Sequence, residues 1–185
     1  MNQHTILIHA QHTLKPFKSL FEGFFPQAQI HYETPKTLFI NIPQTEEPEN
    51  PEDLYHLLLS DLEEKITLVN MPLAGSALLS NELFAKSIPA LPSGYYDYET
   101  FLIEVIKHFP NIQTVIKRNI ASILNPTLIS NMIALGKYNL NVSNAASALY
   151  VHRNTLIYRM DSVKEKTGID VKQFEGLMIF YLLFR

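Results

Sequence analysis

Arg153, Asn154, Thr155, Tyr158 and Arg159 crowd into one short stretch of a 185-residue chain. Two guanidiniums, an amide and two hydroxyls at this spacing suit a polyanion that also presents hydrogen-bonding edges. A guanidinium can donate a parallel pair of bonds to guanine O6 and N7, and an Asn amide can pair with adenine. Hydroxyls and a second guanidinium suit phosphate oxygens, which position a protein without reading sequence.

Such contacts need a rigid carrier. Leu156, Met160 and Val163 recur at i, i+4 and i+7, the inward stripe of a helix that opens at His152–Arg153. Asn154, Ile157, Tyr158, Asp161 and Glu165 fall on the opposite face, with Arg153 at the exposed N-terminus and Arg159 on the flank. Upstream, Ala145, Ala146 and Leu149 mark a short helix that starts near Asn141 or Ser143. Its adjacent alanines let another helix approach closely, and Val151 is expected to be buried in the turn. A short helix, a tight turn and a second helix make a helix-turn-helix, whose second helix enters the major groove by its N-terminal part.

Arg153 is then placed for a base contact and Asn154 for adenine, while Thr155, Tyr158 and Arg159 are placed for phosphates. Ser143 sits where the first helix offers free N–H groups to another phosphate. His152 has two readings, as the N-cap of the second helix or as a phosphate contact. Asp161 and Glu165 repel phosphate, which favours reading by the first two turns alone. The plain alternative is a three-helix packing unit with an accidental Arg-Asn-Thr.

The residues Ala145-Ala146, Leu149 to Leu156, Tyr158-Arg159-Met160 and Thr167-Gly168 resemble the C-terminal helix-turn-helix of PucR-type (CdaR-like) bacterial transcriptional regulators, over about residues 112–185. The segment is also similar to the DNA-binding part of the nucleoid protein Fis, which implies that Arg153 and Thr155 touch DNA. Tyr150 departs from the pattern, because many helix-turn-helix proteins carry Gly before the turn. The resemblance implies a sequence-specific regulator that binds double-stranded DNA. Two recognition helices about 34 Å apart suit a palindromic site, so a homodimer is expected. Family members respond to purine breakdown products, sugar diacids or amino acids, so the effector stays open, and no cofactor is expected.

The first seventy residues alternate strand and helix. Thr5 to Ile8 reads as a buried strand, and Leu14, Phe17, Leu20, Phe21 and Phe24 as one face of a helix. Gln29–Glu33 and Thr37–Ile42 form a hairpin around Thr34-Pro35-Lys36. Residues 43–53, with three prolines and five acids, read as a solvated loop. Asn50 can cap the next helix, with Pro51 at its first position. Leu54, Leu57, Leu58 and Leu62 form that helix's buried stripe, and Lys65–Val69 is a further strand. The order β-α-β-β-α-β is that of a ferredoxin-like sandwich. Further helices are expected over Ser76–Ile88, Tyr98–Phe109 and Ile112–Leu124, with a chain break at 89–96.

The expected fold class is therefore α+β: a ferredoxin-like or GGDEF-like α/β sandwich over 1–91, a helical linker over 92–124, and an all-α helix-turn-helix domain over 125–185. In PucR-type regulators a diguanylate-cyclase-like domain often precedes the DNA-binding part. Here the hairpin that would carry its metal-binding carboxylates reads Glu33-Thr34-Pro35-Lys36-Thr37, so the fold is expected without cyclase activity.

Residues 1–124 hold eight Lys+Arg and fourteen Asp+Glu, net −6, while residues 125–185 hold seven and four, net +3. The overall −3 thus conceals a basic rear. With no cysteine, disulfides and thiolate metal sites are excluded. The spacing of His4, His9 and His12 suits neither a zinc helix nor one strand face. Gly75-Ser76 lacks the second flanking Gly of a nucleophile elbow, and no phosphate-cradling glycine loop occurs. An enzyme is not expected. The longest apolar run, Leu177 to Phe184, is too short to span a membrane, and the N-terminus lacks a signal-peptide pattern. A cytoplasmic location is expected. The reading in a different class is a protein–protein interaction module that has lost DNA binding.

Overall fold

The computed structural model of the chain describes residues 3–43, 46, 50–72 and 78–185. The fold is α+β, with a mixed sheet followed by a helical region. The chain divides into two compact units, Met1–Ser76 with Ser80–Tyr98, and Ala77–Leu79 with Glu99–Arg185.

The first unit contains β1 (Gln3–Ala10), α1 (Lys18–Phe24), β2 (Gln29–Thr34), β3 (Thr37–Pro43), α2 (Pro51–Leu62), β4 (Ile66–Pro72), α3 (Asn81–Ser87) and β5 (Gly94–Asp97). The sheet order is β2-β3-β1-β4-β5. The first four strands pair antiparallel throughout, in the order of a ferredoxin-like sheet. β5 then joins β4 in parallel, which requires the crossover that α3 provides.

Register sets the core. Ile6 faces Ile40 and Ile8 faces Leu38 and Leu68, so these side chains share one side of the sheet. Phe21 of α1 and Leu54, Leu58 and Leu62 of α2 are buried in the same cluster. On the other side Leu7, Phe39, Val69 and Met71 are buried too. Phe84 of α3 meets Phe39 edge-on, with ring centroids 6.4 Å apart. Covering both sides explains why β3 and β4 read as continuous apolar runs rather than alternating ones. His4 pairs with Asn70, His9 Nδ1 with the Thr37 hydroxyl at 2.8 Å, and His12 with Glu64 at 2.7 Å. The three histidines thus take separate partners. Among the described residues no group of three or more His, Asp or Glu is arranged to hold a metal ion.

Several local expectations shift. Lys15–Phe17 form a 3-10 turn around Pro16, and α1 begins only at Lys18. Asn50 caps α2 as expected, its Oδ1 accepting the Glu52 N–H at 3.2 Å. Leu57, expected in the buried stripe of α2, is exposed, because the sheet contacts only the narrower Leu54–Leu58–Leu62 line. The helix expected from Ser76 begins at Asn81, with the Ser80 hydroxyl accepting the Leu83 N–H. Gly75 and Ser76 lie outside the described residues, as do Thr45, Glu47, Pro48 and Glu49 of the acidic loop. Part of the expected break at 89–96 is strand β5, held by pairing with β4.

The second unit contains α4 (Tyr98–His108), α5 (Pro110–Ile123), α6 (Pro126–Lys137), α7 (Val142–Ala148), α8 (Arg153–Thr167) and α9 (Phe174–Phe184). Pro110 and Pro126 open their helices, where the missing N–H costs nothing. Asn125 Oδ1 accepts the Leu128 N–H at 2.9 Å. α5 buries Ile112, Ile116 and Ile120 and packs on α8 and α9. It therefore belongs to the core of this unit, although the sequence places it in a linker. Among the described residues no helix is long and apolar enough to cross a membrane.

Candidate nucleic-acid interface

The interface is built on α7, the turn at 149–152 and α8. Asn141 starts α7, its Oδ1 accepting the Asn144 N–H at 3.0 Å. Ala145 and Ala146 are buried, and α7 packs on α6 and α8. At its end the Val151 N–H donates to Ala146 O at 3.0 Å and the Tyr150 N–H to Ser147 O at 3.1 Å. This pair of bonds is a Schellman closure, and it puts Tyr150 at the position that needs a left-handed backbone. Tyr150 has φ 55°, so a tyrosine holds the conformation that glycine adopts without strain. Val151, expected buried, is half-buried at the surface of the turn.

His152 is the N-cap of α8. Its Nδ1 accepts the Asn154 N–H at 3.2 Å, which calls for the neutral tautomer with the proton on Nε2. The inward stripe of α8 is the one its spacing predicts: Leu156, Met160 and Val163 are buried, joined by Thr167. Arg153, Asn154 and Thr155 are exposed in the first turn, and Ser143 is exposed at the start of α7. Tyr158 is 75% exposed in the second turn, and Arg159 is half-buried on the flank. Among the described residues neither Arg153 nor Arg159 has an acidic partner within ion-pair distance. All seven sequence-selected residues thus lie along α7, the turn and the first two turns of α8.

The structure adds charges that the spacing did not reveal. Gly168 ends α8 with φ 77° and turns the chain back, bringing Lys172 Nζ within 2.6 Å of Asp161 Oδ1. That hydrogen bond raises the Lys172 pKa. Lys164 reaches Asp170 at 2.6 Å, and the Asp170 N–H donates to Glu99 at 2.7 Å. Burial pushes the Asp170 carboxyl up, but Lys164 and the Lys172 N–H together hold it below its ordinary value. Asp161, expected to repel phosphate, is therefore neutralised by a cation eleven positions downstream. Glu165 carries no such partner among the described residues.

The family model of the PucR C-terminal helix-turn-helix domain matches residues 132–185. These residues are a PucR-type helix-turn-helix domain. The match takes in the second half of α6, then α7, α8 and α9 entire. The carbohydrate diacid regulator of Escherichia coli (strain K12) is 33% identical over 58 residues, 31% of this chain and 15% of that protein. An uncharacterized protein of Bacillus subtilis (strain 168), YxkF, is 42% identical over 45 residues, 24% of this chain and 15% of that protein. The leucine-rich protein of Streptococcus dysgalactiae subsp. equisimilis is 31% identical over 88 residues, 45% of this chain and 30% of that protein. The chain thus spans less than a third of the length of these curated relatives. The crystal structure of a regulator of polyketide synthase expression from Bifidobacterium adolescentis matches with a TM-score of 0.47 and 18% identity, covering 98% of this chain and 78% of that one.

Proposed function

We propose that the chain is a sequence-specific DNA-binding transcriptional regulator, not an enzyme, and that the first two turns of α8 read the major groove of double-stranded DNA. The carrying observation is Arg153, exposed and without an acidic partner among the described residues, at the capped N-terminus of α8 inside a PucR-type domain. On this reading Arg153 contacts a guanine and Asn154 an adjacent base, while Thr155, Tyr158 and Arg159 hold phosphates. Ser143 offers a further phosphate contact from the start of α7, and His152 caps the helix that carries the others.

The Lys172–Asp161 pair supports the reading, since it removes a charge that would oppose the DNA backbone. A regulator's name on the E. coli relative supports it as well. The DNA-binding part would occupy 125–185 and act as a homodimer in the cytoplasm, with the α/β unit serving dimerisation, the sensing of an effector, or neither.

Gel-shift titration against a sequence selected from a random pool tests this. Arg153→Ala removes the preference for the selected sequence over random duplex. Arg159→Ala weakens both equally and lowers the salt slope by about one. If neither substitution alters binding, the roles are wrong. If the chain shows no salt-dependent binding at low ionic strength, the interaction-module reading takes its place.

A further inference from the structure

α9 has two apolar faces. Gly176, Leu177, Ile179, Phe180 and Leu183 are buried inside the second unit. Phe174, Met178, Tyr181, Leu182 and Arg185 recur at helical spacing on the other side. Phe174 is 64% exposed and Leu182 36%. This outer stripe forms one wall of a cleft of about 670 Å³, whose other wall is Gly136, Lys137, Asn139 and Leu140. Leu140 has φ 62°, a strained backbone for a bulky side chain. Gly136 leaves room for the Tyr181 ring, since a Cβ there would sit 2.1 Å from it.

We infer that this face takes a second copy of the same chain, with α9 packed antiparallel on the partner's α9 about a two-fold axis. An isologous contact must be complementary to itself, and this stripe is. Setting the axis beside Phe180 places Met178 opposite the partner's Leu182, and Glu175 opposite the partner's Arg185. α9 carries one acid, in its first turn, and ends beside one base, Arg185. Antiparallel pairing alone makes these two charges complementary at both ends at once. Among the described residues neither has an ion-pair partner of its own. Arg185 instead lies over the Tyr181 ring, 5.3 Å from its centre. The exposed Phe174 ring is the anchor that can enter the partner's cleft. α9 is only ~16 Å long, so the contact is small and the dimer dissociates on dilution.

The inference deepens the proposed function by naming the dimer surface, and its test needs no DNA. Sedimentation equilibrium of the full chain is expected to show a concentration-dependent monomer–dimer equilibrium. Glu175→Arg or Arg185→Glu alone sets like charges across the axis and shifts the chain to monomer, with at least a tenfold weaker association. The double reversal, Glu175→Arg with Arg185→Glu, restores the dimer. Both residues are exposed, so far-ultraviolet circular dichroism checks that each variant stays folded. A chain that is monomeric at every concentration, or a dimer indifferent to the reversals, overturns the inference. So does a monomer whose cleft takes up a naphthalene-sulfonate dye, which would assign the cleft to a small ligand. A monomeric chain that still binds DNA through Arg153 overturns the inference and leaves the regulator reading standing.

Discussion

Replacing Tyr150 with Gly is expected to make the second unit more stable. Tyr150 is 95% exposed, so its ring contributes almost no packing. Its φ of 55° is imposed by the two bonds that close the end of α7. Holding a residue with a Cβ in the left-handed region costs about 1–2 kcal/mol. Glycine removes that cost but gives up about 0.5–1 kcal/mol more backbone entropy on folding. The net gain is about 0.5–1 kcal/mol. For a unit of this size that raises the melting temperature by roughly 2–8 °C, taking about 4–8 °C per kcal/mol. Thermal unfolding followed by circular dichroism measures it. Tyr150→Ala is the control: it removes the ring but keeps the Cβ, so it should leave the melting temperature nearly unchanged. If Ala stabilises as much as Gly, or if Gly destabilises, the backbone argument is refuted and the ring has a role of its own.

Gly176→Ala should destabilise by about 3 kcal/mol in chemical denaturation, because its Cβ would sit 2.1 Å from the Asp170 carbonyl oxygen, a backbone atom that cannot step aside. Gly136→Ala is expected to destabilise less than Gly176→Ala in the same assay, since its obstacle is the Tyr181 ring, which can swing aside by giving up its hydroxyl's bond to Ile133 O. Lys172→Ala should weaken DNA binding by uncovering Asp161, and Asp161→Asn in the same chain should restore it; no restoration would mean that Lys172 itself holds a phosphate. His9 predicts a pH dependence for the first unit. Burial and then Lys36 lower its pKa below 6.5, so the unfolded chain takes up this proton first. Its contribution is complete above about pH 6.5 and declines as pH falls through that value toward the folded one. Denaturant midpoints at pH 7.5 and 5 should therefore differ less in His9→Gln than in the parent chain.

Much of this molecule is legible along the chain because it is local. Asn50 caps a helix that Pro51 opens, and a short helix starts near Asn141. The inward line Leu156–Met160–Val163 follows from a 3.6-residue period. Each of these features depends on residues within one helical turn, where spacing alone sets geometry. The order β-α-β-β-α-β is legible for the same reason, element by element. What escapes depends on which distant segment arrives. Gly94–Asp97 is only four residues long and follows the breakers Pro89 and Pro92, so it reads as part of a chain break despite its two tyrosines, and it is a strand because β4 offers it an edge. Leu57 has the spacing of a core residue but no surface to meet. Lys172 answers Asp161 only because the turn at Gly168 folds the chain back. Tyr150 is legible as a departure at a position where glycine is common, and Leu177 to Phe184 as too apolar for a one-sided surface helix, but which side of α9 stays uncovered is not. The side of a helix left uncovered, and the distant charge that a turn brings back, are settled by how neighbouring segments pack, and no short window of residues holds that information.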